Sequence, residues 1–185
     1  MIIGHINLAK SFNGTGEHFI ALVEALDRMG IKQHIIVQNQ SLANRLAVYD
    51  GVSLGPVTGS PVIAYCLMPQ IDVVHTHDER SGQAGLLLTL ARSIPYVLTR
   101  RLKTLAVNRP LLRSVYGRAA TVICMTGTGA RAIGGEFPAA RIDVINDIAR
   151  TDTGDVEMLA NRVAADHLRI YHRVVESLRI PALLL

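Results

Sequence analysis

The sequence predicts an α/β fold: a mostly parallel, twisted sheet with helices on both faces and a long C-terminal helix packed back on it. Three observations predict it. Short β-branched runs alternate with amphipathic stretches, and consecutive parallel strands require helical crossovers. The 185 residues suffice for one domain with a substantial core. Apolar residues make up 49% of the chain and charged residues 18%, a balance that argues against long disordered tracts.

The elements follow in order. The apolar run Ile2–Leu8 reads as a strand, and Asn13-Gly14-Thr15-Gly16-Glu17-His18 follows it as a glycine turn. A helix is expected over Gly16–Met29, because Phe19, Leu22, Val23, Leu26 and Met29 recur at helical spacing and Gly30 supplies the stop. Further strands are expected at Lys32–Gln38, weakly near Val52, and at Asp72–His75, Tyr96–Thr99, Thr121–Met125 and Arg141–Ile145. Helices are expected at Leu42–Val48, Val62–Met68, Ser81–Ala91, Pro110–Arg118 and Thr128–Ile133. Asp147–Asp155 reads as a connector. Beyond it Val156, Leu159, Val163, His167, Ile170, Tyr171, Val174 and Leu178 form one apolar helical face. The organisation is thus a domain over residues 1–150 and a connector with an amphipathic helix over 151–185.

Net charge is +4 and the pI about 9.4, which points to an anionic partner such as a phosphorylated metabolite or an acidic membrane surface. No zinc-finger spacing, aromatic-rich strand motif or lysine-rich tail supports nucleic acid. No run approaches the ~20 apolar residues of a membrane span. The start MIIGHINLAK lacks the basic segment of a signal peptide. Cys66 and Cys124 lie far apart in apolar surroundings and are expected to be buried, reduced thiols.

The glycine turn between a strand and a helix is an anion site in outline. The first N–H groups of a helix have no helical partner, and the macrodipole adds roughly half a positive charge there. A dinucleotide fingerprint fits poorly: Phe19 stands at the third glycine position, and Gln38-Asn39 stands where an acidic residue would hold a ribose. Downstream, strand alternation in Asp72-Val73-Val74-His75-Thr76-His77-Asp78 puts His75 and His77 on one face at a strand's C-terminal end. H-x-H is a ligand spacing, but Glu79 and Arg80 replace the Asp and His of metallo-hydrolases, so no metal is expected. His77 reads as a hydrogen-bonding or acid–base group and His75 as a packed one. Arg100, Arg101 and Lys103 follow another strand, where forked donors suit phosphate or carboxylate. Arg100→Ala and His77→Ala are then expected to leave melting nearly unchanged.

These segments resemble, in order, the N-terminal domain of GT-B glycosyltransferases of the retaining family 4 type. Gly14-Thr15-Gly16-Glu17-His18 resembles that family's glycine-glycine-x-Glu-basic opening, and Asp72–Asp78 its DVVHxH strand. Val97-Leu98-Thr99-Arg100-Arg101 is similar to the T-R-R form of some lipopolysaccharide-type members. Tyr116–Thr126 resembles the Y-x-x-A-D-x-V-I-x-x-S segment, with Thr126 for the usual Ser. Val144–Ala149 resembles the V-I-x-N-G-I/V-D end of the domain, without its glycine.

The resemblance implies a single Rossmann-like three-layer domain and sugar transfer from a nucleotide diphosphate donor, without metal or other cofactor. It implies that Gly14, Thr15, Gly16 and Glu17 face the donor phosphates, that His77 lies at the donor sugar as the catalytic candidate, and that Arg100, Arg101 and Lys103 bind the acceptor. The family's E-x7-E motif has no counterpart among these glutamates, so the chain reads as the acceptor half of an enzyme of cell-surface glycan or lipopolysaccharide synthesis. The implied partners are a separate donor-domain subunit or a second copy, a sugar or lipid-linked acceptor, and an anionic membrane face touched peripherally. The implied place is the cytoplasm or the inner face of the membrane. A non-catalytic binder of phosphosugar, nucleotide or anionic lipid remains the alternative.

Overall fold

In the computed structural model, which describes residues 1–10, 14–100, 110–145 and 156–179, seven strands alternate with seven helices. The strands are β1 (Ile2–Asn7), β2 (Lys32–Val37), β3 (Val52–Leu54), β4 (Val73–Thr76), β5 (Tyr96–Arg100), β6 (Thr121–Cys124) and β7 (Ile142–Val144). The helices are α1 (Gly14–Arg28), α2 (Gln40–Leu46), α3 (Pro61–Leu67), α4 (Glu79–Arg92), α5 (Pro110–Arg118), α6 (Gly127–Glu136) and α7 (Val156–Arg179). The strands form one sheet in the order β3-β2-β1-β4-β5-β6-β7, and every pairing is parallel. The Rossmann-like α/β expectation holds, with a sheet that is parallel throughout.

Strand alternation sorts the core onto two faces. On one, Ile3, Val73, Val97 and Ile123 pack with Leu22 and Leu26 of α1 and with Ala164, Ile170 and Tyr171 of α7. The long last helix therefore docks back on the sheet. On the other face, Ile6, Val74, Leu98 and Val122 meet side chains of α3, α4, α5 and α6. α2 closes the β2–β3 end through Leu42, Ala43 and Leu46 against Phe19, Val23 and Ile35.

Local chemistry explains the boundaries. Asn39 and Ser60 cap α2 and α3, with Pro61 at the first turn of α3. Asp78 and Ser81 form a capping box on α4. Gly30 ends α1 at φ +72, a conformation open to glycine at little cost. α1 starts at Gly14, two residues earlier than its apolar spacing indicates, so Gly14–Gly16 form its first turn. Cys124 is buried as expected, whereas Cys66 is exposed on α3: only Ala64 of that short helix is buried, so its apolar sequence is a poor guide to burial. Among the described residues no helix is long and apolar enough to cross a membrane.

Candidate functional site

Ligands of open α/β sheets gather beyond the C-terminal ends of the strands, and there the sequence order brings distant histidines together. β1 and β4 are neighbours in the sheet, and His5 is directly opposite His75 in the register. Alternation then puts His5, His75, His77 and Thr99 on the α1–α7 face. His75 is fully buried, with Nδ1 2.6 Å from the Tyr171 hydroxyl and Nε2 2.6 Å from Thr99 Oγ1. His77 follows the last residue of β4, its backbone N–H donating to Ile6 O. Its ring lies 4.0 Å from that of His75 and 4.3 Å from that of Phe19, and its Nε2 lies 3.1 Å from His5 Nδ1. His167 of α7 completes the group, its ring 5.4 Å from that of His75.

Burial sets the protonation state here. His5 is lowered from 6.5 to about 3, mainly because its imidazolium would lose all contact with water, with His167 adding like-charge repulsion. Burial likewise holds the Tyr171 phenol far above its usual range. Ligand-type nitrogens of His5, His75 and His77 lie within 4.8 Å of one another, a grouping that a transition metal accepts. Both His75 nitrogens are already engaged by Tyr171 and Thr99, so His75 takes part through hydrogen bonds within the protein. Sequence reasoning paired His75 with His77 and missed His5. The signal was a histidine in an otherwise apolar first strand, readable only once β1 and β4 are known to be neighbours.

The glycine turn reaches the same edge. Gly16 is buried in the first turn of α1, and the Phe19 ring one turn on lies tilted against that of His77. Glu17 is exposed and forms a bidentate pair with Arg45 of α2, at 2.6 and 3.0 Å, which holds its carboxyl below the usual range. The burial of Gly14 and the side chain of Thr15 lie outside what is described. Asp78 ties the two loops together, accepting from Ser81 N at 2.8 Å and from Leu8 N at 2.8 Å. Burial pushes its carboxyl up, opposed by those backbone donors.

Arg100 also ends a strand at this edge, but one position after Thr99 it faces the opposite side of the sheet. There its guanidinium is 8% exposed and pairs with Glu79 of α4, whose Oε1 also accepts from the Tyr116 hydroxyl at 3.0 Å. The structure thus separates His77 and Arg100 by the thickness of the sheet. Arg101 and Lys103 lie outside the described residues. A cavity of about 520 Å³ lies at the other end of the strands, between Arg118, Arg141 and Leu178, remote from the histidines.

The sequence matches the family model described as Glycosyltransferase Family 4 over residues 12–147. The chain belongs to that family. This family 4 chain is similar in fold to Anabaena HepE, solved in complex with UDP, at a TM-score of 0.59 and 13% identity, covering 80% of the chain. It spans 44% of the HepE chain it matches, less than half its length. AnUbiX (PadA1), solved with FMN and dimethylallyl pyrophosphate, aligns at a TM-score of 0.48 and 13% identity over 92% of this chain and 91% of its own. No curated protein matches the sequence.

Proposed function

We propose that this family 4 domain is the acceptor-binding half of a GT-B sugar transferase of cell-surface glycan or lipopolysaccharide synthesis. A donor-binding unit completes it. The observation that carries the reading is the meeting, at one sheet edge, of the glycine-started α1 with His77, in contact through the Phe19 ring. The α1 N-terminus offers backbone donors and a partial positive charge to a departing diphosphate, and such preorganised dipoles stabilise developing charge most where water is excluded. Glycines there let phosphate oxygens approach the backbone. His77 hydrogen-bonds the transferred sugar, and Arg101 and Lys103 hold an anionic acceptor. Arg100 contributes to that role through its pair with Glu79, which fixes the end of β5. HepE, whose structure holds UDP, makes a uridine nucleotide the first donor to test.

The experiment mixes the chain with a donor-domain protein carrying the E-x7-E motif and follows complex formation and sugar release from UDP-sugars. Expected is a complex with turnover that His77→Ala abolishes. Neither complex nor turnover would overturn the split-enzyme reading. Phosphosugar binding without turnover would leave a non-catalytic binder.

A further inference from the structure

At the opposite end of the strands from the histidines, the surface opens into two adjoining cavities of about 520 and 320 Å³. They share Ala120, Arg141 and Val174, and lie where the chain enters β5, β6 and β7. Small residues keep the space open: a Cβ on Gly117 would meet nothing nearer than Ala139 Cβ, at 3.8 Å. Three arginines and one aspartate line this depression. Asp143 is already held, by Arg173 and by the Thr121 hydroxyl at 2.8 Å. The side chains of Arg118 and Arg141 are exposed and have no acceptor among the described residues, whereas Arg28, Arg45 and Arg100 are ion-paired. Arg118, in the last turn of α5, also suits that helix's macrodipole, but Arg141 precedes a strand and serves no helix. Both sit on fixed backbone. Arg141 O accepts from Val122 N at 2.7 Å, and just beyond Arg118 the Ala120 N–H donates to Tyr96 O at 2.8 Å.

Ser93 is an independent sign. It ends α4 at φ 54°, the only positive φ of a non-glycine residue among the described residues. Glycine takes this conformation freely and serine takes it at a cost. What serine adds is a hydroxyl on the wall of the larger cavity, without a hydrogen-bond partner among the described residues. We propose that this depression is a second anion site, which takes a phosphate monoester with a small, uncharged body. The excess of two positive charges matches a group that is nearly a dianion at neutral pH. Arg118 and Arg141 clamp the phosphate from two elements, the Ser93 hydroxyl donates to it, and Ala119, Val174 and Leu178 cover the body. The larger cavity exceeds a phosphate alone and has the size of a small-molecule site. The site is separate from the α1 turn and does not depend on the function proposed above.

Amide ¹H–¹⁵N spectra of the full chain, titrated with glycerol 3-phosphate, test it. Expected are saturable shifts at Ala119, Ala120, Arg141 and Ser177, with a rise in melting temperature from binding to the folded state. Arg118→Gln and Arg141→Gln should each weaken binding about tenfold, as loss of a charge-assisted hydrogen bond does, with melting of the free chain unchanged. Ser93→Gly should raise the melting temperature of the free chain and yet weaken binding, opposite signs that a serine serving only the α4 end would not give. Phosphatidylcholine vesicles with and without phosphatidic acid distinguish the source of the phosphate. Flotation with phosphatidic acid that is lost in the double arginine variant assigns it to a lipid headgroup, and binding of glycerol 3-phosphate alone assigns it to a soluble ester. Absence of cavity shifts and of flotation in the wild-type chain would overturn the site, and that result needs no variant to fold. Equal binding by the wild-type chain and the double variant would overturn it too.

Discussion

At His5 the cost of burying a base becomes a dependence on pH. The unfolded chain takes up a proton near 6.5, whereas the folded ring resists until about 3. Between those values the unfolded state binds more protons, so stability falls as pH falls, by about 1.4 kcal/mol per pH unit for this one group. Half-buried His34, also lowered by desolvation, acts in the same direction. Denaturant titrations from pH 7 to 4 should show the decline. Arg100 behaves differently from a loop cation that only meets ligand. Arg100→Ala strands Glu79 beneath Tyr116 and should cost about 3 kcal/mol in a denaturant melt, the usual penalty for cutting one partner of a buried pair. Reading Arg100 as a basic residue at a strand end was sound. What the residue type and spacing did not carry was the face, because Glu79 becomes its partner only through the packing of α4 on β5. His5 was hidden for a similar reason: its neighbours His75 and His77 stand about 70 residues on in the chain.

Among elements, α4 lies unusually close to the sheet. A Cβ at Gly85 would come 2.7 Å from the Tyr96 ring and 3.0 Å from Thr76 Cγ2. Tyr96 cannot swing aside, since its hydroxyl is anchored on Val115 O. Gly85→Ala should therefore lower stability by roughly 1–3 kcal/mol despite its gain in helix propensity, as overpacking does. Thermal melts of Gly85→Ala beside a solvent-facing substitution such as Arg80→Ala would separate the clash from propensity. α7 is held by chemistry as well as packing. Tyr171→Phe removes the partner of His75 Nδ1 in a dry site and should cost about 1–3 kcal/mol. The elements themselves were legible: Phe19, Leu22, Val23 and Leu26 face the core as their spacing indicates. The start of α1 was not, because glycines carry no apolar signal to mark a first turn.

For the whole molecule, α7 is the lid of one sheet face. Ile3, Val73, Val97 and Ile123 are all fully buried beneath α1 and α7. Deleting residues 156–185 should leave that face bare, and size-exclusion chromatography should find aggregate instead of monomer. A soluble, cooperatively melting truncation would show that the helix is dispensable to the fold. The order of the motifs carried the family and the layered fold. The union of β1 with β4 at the centre of the sheet, which creates the histidine cluster, is a property of topology alone.

That central pairing also sets a clock. Leu8 leaves β1 with its amide donated to Asp78, the residue that starts α4. Its amide proton can reach solvent only when the α4 cap lets go, so Leu8 and Ser81 should exchange with deuterium at one common rate. In Asp78→Ala both should speed up together. The segment leading to the glycine turn and the one following His77 then keep time with each other, and any ligand that stills one will slow the other.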